Sequence, residues 1–194
     1  MPGPDPYFVK NDIYHLAEVI STNLTLAVRV IDDYNERVPV FPVTLRIESE
    51  GAEAFRNTGG FFCFVNLPAG TYEVHAESDF YFPATQTVDT STLDPKNPLT
   101  ELRLMPRPAY PFPFSATLVR GLVNDGAAVS GAAVTVAGKT IETFTDEKGE
   151  FVLYFFGIAS ENITIEITRN GSTKSLNTTI EEGKAISLGV IPFP

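Results

Sequence analysis

The stretch Thr145–Phe156 reads TDEKGEFVLYFF, and the rest of the chain is interpreted outward from it. Asp146–Gly149 is a polar turn that leads into an apolar run. Gly149 gives the backbone the freedom that a tight turn needs, and the Asp146 side chain can hydrogen-bond its own backbone to start the turn. Phe151–Phe156 is apolar on both faces, so it predicts a strand in the middle of a core.

A second copy of this pattern lies upstream in Asn57–Val65, NTGGFFCFV. Other short matches recur at an offset of 91 residues (119 − 28 and 134 − 43) or 90 residues (149 − 59): Val28-Arg29 with Val119-Arg120, Val43-Thr44-Leu45 with Val134-Thr135-Val136, and Gly59 and Phe61 with Gly149 and Phe151. A nearly constant offset across separate strands predicts two copies of one β-domain.

Alternating apolar and polar residues predict strands along both halves. In Asn162–Thr168, for example, the isoleucines would point inward and the polar residues outward. Strands are expected near 23–31, 38–47, 61–65, 71–77, 81–88 and 99–104, and again near 116–124, 132–137, 140–145, 150–156, 162–168, 174–180 and 185–191. About seven short strands per half with frequent turns are typical of a sandwich. The predicted fold class is all-β: two tandem seven-stranded β-sandwiches with an N-terminal extended arm.

Residues 1–22 are predicted to form that arm. The alternating prolines of Pro2–Pro6 keep the first residues extended. The apolar spacing in Tyr7–Ser21 fits a short helix as well as an irregular docking arm, and both alternatives stay open. Tyr7 and Phe8 are candidate contacts with a partner chain.

Arg107–Phe114, RPAYPFPF, marks the boundary between the halves. Alternating prolines cannot join the middle of a sheet, and they predict a stiff, extended connector in a fixed position. The predicted domains are therefore the arm at 1–22, the first sandwich at 23–106, the linker at 107–115 and the second sandwich at 116–194. Tyr110, Phe112 and Phe114 either pack on the flanking domains or anchor a partner.

The composition is globular, with 43% hydrophobic and 20% charged residues among 194. A formal net charge of −10 argues against nucleic acid and anionic membrane surfaces as partners, because both attract cations. No run reaches the roughly 18–20 apolar residues that span a membrane. The N-terminus has no basic start followed by an apolar stretch, which predicts no signal peptide. We therefore expect cytoplasmic synthesis and assembly, with an extracellular or virion-like particle as one destination.

Three segments of the second half form a recognisable series: Arg120-Gly121, Ser130–Val136 and Thr145–Phe151. They resemble the first strand, the "pGA-V-V" strand and the "T-D-x-G-x-F" turn of the carboxypeptidase regulatory-like domain, a transthyretin-like (prealbumin-like, Ig-like) β-sandwich. In the first half, Asn57–Phe61 lacks the aspartate, whereas Leu67–Tyr72 is similar to the family's next turn. Together the two resemblances extend over about residues 23–191.

The resemblance implies a non-catalytic module that accompanies enzymes, surface proteins and large assemblies. The same fold is similar to collagen-adhesin B-type repeats, some of which carry a lysine–asparagine isopeptide crosslink. Ala116–Val123 contains no lysine, so this crosslink is not expected here. Carboxypeptidase chemistry belongs to a different domain.

Few residues suggest chemistry of their own. His15 and His75 lie 60 positions apart (75 − 15), outside any metal-spaced cluster, and His75 is interpreted as a solvated side chain. Cys63, the single cysteine, lies between two phenylalanines and is interpreted as a buried packing residue rather than a nucleophile. Asp32–Glu36 and Asp146–Glu150 are either solvated turns, which we favour, or sources of calcium ligands.

Two further patterns have alternative interpretations. Phe80–Phe82 is either a sugar-stacking platform or, as we favour, packing at the edge of the domain. Asn-x-Ser/Thr triplets begin at four positions, which matter only if the chain meets a glycosylation machinery: Asn23, Asn162, Asn170 and Asn177.

We predict a non-catalytic structural or interaction protein, part of a homo-oligomer or multi-subunit assembly such as a cell-surface, virion or contractile phage-tail-like particle. The alternative is a carbohydrate- or ligand-binding module, and an enzyme is the least favoured class. No catalytic residue, cofactor or metal is expected. The expected partners are other protein chains, not nucleic acid or a membrane.

Overall fold

The structure, a computed structural model, describes residues 21–194. Most of the predicted arm, including Tyr7 and Phe8, therefore lies outside the described residues. Within them the chain forms fifteen strands and two short 3-10 helices. No helix in this part of the chain has the length and apolar character to cross a bilayer. The predicted all-β fold class and its sandwich packing are confirmed.

Eight strands of the first half form two sheets. Their order is β4-β5-β1-β8 in one sheet and β3-β2-β6-β7 in the other. The bounds are β1 (Leu24–Asp32), β2 (Thr44–Ile47), β3 (Ala52–Glu53), β4 (Phe55–Arg56), β5 (Phe62–Val65), β6 (Thr71–Glu77), β7 (Ala84–Asp89) and β8 (Leu99–Leu104), with 3-10 helices at Glu48–Glu50 and Thr90–Thr92.

Seven strands of the second half also form two sheets. Their order is β12-β9-β15 and β11-β10-β13-β14. The bounds are β9 (Thr117–Asn124), β10 (Ala133–Val136), β11 (Glu142–Phe144), β12 (Glu150–Phe155), β13 (Ser160–Arg169), β14 (Ser172–Glu181) and β15 (Ala185–Pro192).

The two halves have the same strand order apart from the short β4. The first strand of each half, β1 or β9, is antiparallel to β5 or β12 on one side and parallel to the last strand, β8 or β15, on the other. In the facing sheets, β2 and β10 each lie between their sequence neighbour and β6 or β13, and every pair is antiparallel. Each half encloses its own cluster of buried apolar side chains.

The Asp146 turn forms as its sequence predicts. Asp146 Oδ1 accepts hydrogen bonds from the N–H groups of Lys148 and Glu150, both at 2.9 Å. The Gly149 N–H donates to the Asp146 carbonyl oxygen at 2.9 Å, and Gly149 has a φ of 79°. The side chain therefore replaces part of the strand ladder while the chain reverses.

Asn57 builds the corresponding turn in the first half, in place of the aspartate. Asn57 Oδ1 accepts from the Phe61 N–H at 3.0 Å, which is the role that Asp146 plays toward Glu150. The left-handed glycine of this turn is Gly60, with a φ of 85°, and not Gly59. The turns therefore correspond at an offset of 89 residues (149 − 60) rather than the predicted 90.

The first strands of the two halves, β1 and β9, correspond at a different offset from the turns. Phe64 and Leu153 correspond at the offset of the turns, 89 (153 − 64). Leu26 pairs with Phe64, and Val119 pairs with Leu153. Leu26 is therefore the counterpart of Val119, at an offset of 93 (119 − 26). The predicted match of Val28 with Val119 is therefore wrong by two residues. The halves share an order of strands, whereas no single sequence offset relates them.

β12 is buried on both faces, although it is an edge strand of its sheet rather than a central one. Phe151 and Leu153 lie in the second core, and Val152 faces the opposite way, against Leu118. Phe156 was expected in the same buried run, but it lies beyond the strand and is 61% exposed. The second face of β12 is covered in part by Tyr34 of the first half and Phe112 of the linker.

Proline shortens two predicted strands of the first half. The strand predicted at 38–47 begins only at Thr44, after Pro39 and Pro42. The strand predicted at 81–88 begins at Ala84, directly after Pro83. Proline has no N–H for the ladder and fixes φ, so pairing starts beyond it.

Replacing Gly149 with alanine should destabilise the second half severely. A Cβ at Gly149 would lie 2.4 Å from the Val123 carbonyl oxygen, and the positive φ adds strain. We expect a loss of about 3 kcal/mol in the free energy of unfolding, measured by urea titration. Gly131→Ala is the matched control, because Gly131 has a φ of 71° and open space around it. It should cost only about 1 kcal/mol, and equal losses would contradict the clash.

Candidate functional site

The predicted linker is fixed in place, but it is bent rather than extended. The Tyr110 N–H donates to the Arg107 carbonyl oxygen at 3.0 Å, and a second turn joins Ala116 to Pro113. The Arg120 guanidinium, on β9, donates to the Pro108 carbonyl oxygen at 2.8 Å. Burial lowers the pKa of Arg120. The connector is therefore hydrogen-bonded at both of its ends.

A buried carboxylate ties this linker to the first sandwich. Asp32 ends β1 and is 0% exposed. Its Oδ2 accepts hydrogen bonds from the hydroxyls of Tyr81 at 2.7 Å and Tyr110 at 2.6 Å. Asn35 Nδ2 donates to the same oxygen at 3.1 Å, and the Tyr34 N–H donates to Oδ1 at 2.9 Å. A buried charge is tolerated when its acceptor positions are filled, as they are here.

The two tyrosine hydroxyls remain donors in this network. Burial raises the pKa of Tyr81 and of Tyr110 above the ordinary tyrosine value, and the hydrogen bond to Asp32 raises each pKa further. Both hydroxyls therefore stay protonated over the physiological range. The linker residue Tyr110 thus shares one acceptor with Tyr81, whose ring lies in the first core.

The turn that follows Asp32 contacts the second half. The Tyr154 hydroxyl on β12 donates to Asp33 Oδ2 at 2.6 Å. Burial, followed by the hydrogen bond to Asp33, raises the pKa of Tyr154. The Tyr34 ring packs edge-on against Tyr154 at 5.5 Å and Phe112 at 5.0 Å between centroids. First half, linker and second half therefore meet around one tyrosine ring.

A second contact zone lies beside the first. The rings of Phe82 and Phe144 are 6.3 Å apart across the two halves. Arg107 forms an ion pair with Glu147 and lies 5.6 Å above the Phe82 ring. The Glu147 side chain is 72% exposed, so this pair adds little to stability. The aromatic contacts fix the orientation of the halves more than the charges do.

A cleft of about 500 Å³ opens next to the junction. It is lined by residues of both halves, among them Asp33, Arg103, Met105, Glu142, Tyr154 and Phe156. Arg103 donates to Glu36 at 2.7 Å and to Asp33 at 3.4 Å. The Arg103 hydrogen bond lowers the pKa of Glu36. Arg103 therefore pairs with both acidic side chains of the turn, Asp33 and Glu36, beside this cleft.

The predicted partner contacts have different positions. Tyr110 is 5% exposed and its hydroxyl is bound to Asp32, so the structure supports packing within the chain for this residue. Phe112 is half-buried between the two halves. Phe114 is fully exposed, and contact with a partner stays a prediction for it. Tyr7 and Phe8 lie outside the described residues.

The other candidate residues pack or bond locally. Tyr81 is buried at the centre of the Phe80–Phe82 segment, which matches edge packing and not a sugar platform. His75 Nδ1 lies 3.0 Å from the Thr85 hydroxyl on the exposed face of β6. Cys63 is buried, and burial raises the pKa of its thiol. Within residues 21–194, no group of three or more His, Cys, Asp and Glu side chains is arranged to hold a metal.

Sequence reasoning did not find Asp32, Asp33 or Tyr34 as the centre of the junction. They were interpreted as part of a polar turn, because the acidic side chains suggested solvent. A usable signal exists in retrospect: Tyr154 lies in the apolar run of β12, and a tyrosine hydroxyl in such a run requires a hydrogen-bond acceptor nearby.

The fold and the junction define a protein made of β-sandwich units. No protein-family model matches the chain, and no curated protein is similar to it in sequence. Among solved structures, a type II cohesin–X-dockerin complex from Acetivibrio cellulolyticus is 21% identical over 38% of this chain and 52% of its own, with a TM-score of 0.31. The match thus spans about half the length of that structure.

Two longer matches are equally distant. The Bacillus anthracis TIE protein is 18% identical over 86% of this chain and 33% of its own, with a TM-score of 0.32. A variant of the shaft pilin of Lactobacillus rhamnosus GG is 12% identical over 89% of this chain and 98% of its own, with a TM-score of 0.31. TM-scores this low do not define a shared fold. The fold class of this chain therefore rests on the sheets and cores described above.

High pH should destabilise the protein through three tyrosines whose hydroxyls donate to carboxylates. Tyr81, Tyr110 and Tyr154 have a higher pKa in the folded state than in the unfolded chain, so the unfolded chain loses these protons first as the pH rises past about 10. The stabilisation is complete below about pH 10 and is lost above it, at about 1.4 kcal/mol per pH unit for each tyrosine. Urea unfolding at about pH 9, 10 and 11 measures this slope.

The Tyr154→Phe variant isolates the contribution of Tyr154 to this loss of stability at high pH. The variant lacks one of the three titrating hydroxyls, so its free energy of unfolding should fall less steeply above about pH 10. The slope should decrease by about 1.4 kcal/mol per pH unit. An unchanged slope would show that Tyr154 titrates normally in the folded protein.

Proposed function

We propose that this protein is a non-catalytic structural subunit of a larger protein assembly. The observation that carries the proposal is the junction around Tyr34, where the Asp33–Tyr154 hydrogen bond and packed aromatic rings hold two sandwiches at a fixed angle. A pair of sandwiches held rigidly together is suited to spacing and contact. A catalyst needs a cleft with reactive groups free to act, whereas the polar side chains at this junction bind each other.

We further propose that the chain contains two tandem copies of a carboxypeptidase regulatory-like domain. Their boundaries would be 23–106 and 116–194, with the linker at 107–115. The shared strand order of the two halves supports this duplication. The Asp146 turn, with Gly149 in the left-handed conformation, supports the resemblance of the second copy to the family.

Within this class we propose a subunit of a cell-surface, virion or contractile phage-tail-like particle, with residues 1–22 as an element that contacts neighbouring chains. Repeated units in such particles transmit position through stiff joints, and the fixed linker fits that role. The exposed Phe114, next to the junction in sequence, is the aromatic side chain best placed to meet a partner.

Full-length protein should form particles heavier than one 21.2 kDa chain, and deletion of residues 1–22 should lower the mass of those particles. Light scattering measures both masses. The physical reason is that the predicted arm adds contact area that the sandwiches alone do not supply. The deleted chain must first show the same unfolding midpoint as the full-length chain, which establishes that its sandwiches are intact. Monomeric full-length protein at every concentration would refute the proposed assembly.

Loss of the Tyr34 ring should release the two halves from their fixed angle. In Tyr34→Ala the halves keep their own cores but lose the ring shared by Tyr154 and Phe112, at a cost of about 3 kcal/mol. Small-angle X-ray scattering should show a larger radius of gyration, and unfolding should separate into two transitions. Tyr72→Ala is the control, because Tyr72 is buried in the first core away from the junction. It should destabilise the first half without changing the native radius.

A further inference from the structure

Most edge strands in the described sheets carry a feature that discourages pairing with another chain. β3 and β4 have two residues each and β11 has three. β15 is interrupted by a register shift between Ser187 and Val190 and ends at Pro192. β8 begins just after Pro98 and exposes Glu101 and Arg103.

Two of the three remaining edges are occupied by other parts of the chain. β7 follows Pro83, and its Gln86 side chain donates to Thr100 of β8, which bridges the open side of the first sandwich at 3.1 Å. β12 lies at the junction, where Tyr154 is bonded to Asp33. These contacts leave β14 as the edge that needs an explanation.

β14 is long, regular and unprotected. It pairs with β13 in ten consecutive pairs, from Ser160 with Glu181 to Arg169 with Ser172, without a bulge. It has no proline, and its only charged residues are Lys174 and Glu181. A regular edge of this length presents a row of unpaired backbone donors and acceptors to solvent.

The burial of side chains shows that the sheet is incomplete at this edge. Ile165 and Ile167 on β13 are both 0% exposed. Ile180, at the end of β14, is also 0% exposed, whereas Leu176 and Thr178 on the same face are half-buried. One more strand beyond β14 would cover these two side chains and pair the free backbone groups.

We propose that β14 pairs with β14 of a second copy of this chain, antiparallel, around a two-fold axis at Thr178. The inference rests on the proposed assembly function and names its contact surface. A two-fold axis perpendicular to the sheet keeps both cores on one side, so paired residue numbers must have an even sum. With Thr178 opposite itself, that sum is 356 (178 + 178).

This register is complementary along its length. Leu176 lies opposite Ile180 of the second copy on the core face. Lys174 lies opposite Glu182, the first residue after β14, whose N–H still donates to the Ala159 carbonyl oxygen and so continues the ladder. On the outer face Asn177 lies opposite Thr179. Within one chain, Asn177 Oδ1 accepts from Thr164 and Asn162 Oδ1 accepts from Thr179, and the Asn177 amide N–H groups donate to no group in residues 21–194. The new pair continues this ladder of Asn and Thr.

The neighbouring register is less favourable. An axis at Asn177 gives a sum of 354 (177 + 177) and places Lys174 opposite Ile180. This second register buries the Lys174 ammonium against the apolar Ile180 side chain without a partner, and it leaves Glu182 without a counter-charge. Charge complementarity therefore selects Thr178 over Asn177 as the centre.

Cysteine cross-linking tests the contact and its register together. In Thr178→Cys the two thiols would face each other, with Cβ atoms about 4.5–5.5 Å apart. A disulfide needs roughly 3.5–4.5 Å, which a small movement provides. The native Cys63 is buried, so the new thiol is the accessible one. Mild oxidation of the full chain should give a covalent dimer for Thr178→Cys, and much less for Asn177→Cys or for Ser187→Cys on β15.

A matched pair of lysine variants tests the contact without a thiol. Asn177→Lys places two like charges near the axis and should weaken association at least tenfold in sedimentation velocity across a concentration series. Asn162→Lys is the control, since it loses the same kind of Asn–Thr hydrogen bond one strand further from the edge. It should associate like the original chain.

The outcomes separate this inference from the proposed function. Association that Asn177→Lys leaves unchanged overturns the β14 contact, while the assembly function stands. If Asn177→Lys abolishes association but Thr178→Cys forms no cross-link, β14 pairs with another segment, such as residues 1–20 of a neighbouring copy. That result overturns the pairing of β14 with itself. A full chain that is monomeric at every concentration overturns both proposals.

Discussion

The Asp32 carboxylate is fully buried, and the position of the linker between the two sandwiches depends on the donors that surround it. Two of those donors are hydroxyls, from Tyr81 in the first sandwich and Tyr110 in the linker. Because a buried carboxylate is costly unless its acceptor positions are filled, movement of the linker would expose Asp32 or remove one of its four donors. The fixed linker in turn sets where β9 begins, and so where the second sandwich lies.

The next residue, Asp33, also accepts a hydrogen bond from a distant tyrosine. Asp33 is the first residue after β1, and its N–H still donates to the Leu104 carbonyl oxygen. Asp32 therefore faces inward to the first core, while Asp33 faces the second half and accepts from Tyr154. Tyr34 then places its ring between the halves. Three consecutive residues therefore serve the core, the joint and the aromatic packing, which explains how a short turn controls the relation of two sandwiches.

The sequence predicted the strands well because alternation and turn residues are local signals. Thr71–Glu77 and Leu99–Leu104 form strands at the predicted positions. The register between the halves was predicted less well. Repeated dipeptides such as Val28-Arg29 are common in strands, whereas the true correspondence depends on ladder pairing, which joins residues far apart in the chain. Asn57 shows the difficulty, because an asparagine there makes the same hydrogen bond that the motif assigns to aspartate.

The junction was harder to predict than either sandwich. The acidic residues of Asp32–Glu36 look like a solvated turn when only neighbours in sequence are considered. Their partners Tyr81, Tyr110 and Tyr154 lie 49, 78 and 121 residues away. Nothing local distinguishes a carboxylate that faces water from one that meets a tyrosine so distant in sequence. By contrast, the prolines of the linker did predict that it is fixed, because their restraint is local.

The parallel pairing of the first and last strand in each half gives the molecule a mechanical property. β1 enters the first sandwich and β8 leaves it, and the two run side by side through six residue pairs from Ala27 with Leu99 to Asp32 with Leu104. Tension applied to the two ends of that sandwich pulls parallel neighbours in opposite directions. All the hydrogen bonds of the ladder then resist together, in shear, instead of opening one at a time. β9 and β15 repeat this arrangement, so force along the chain meets two such ladders in series.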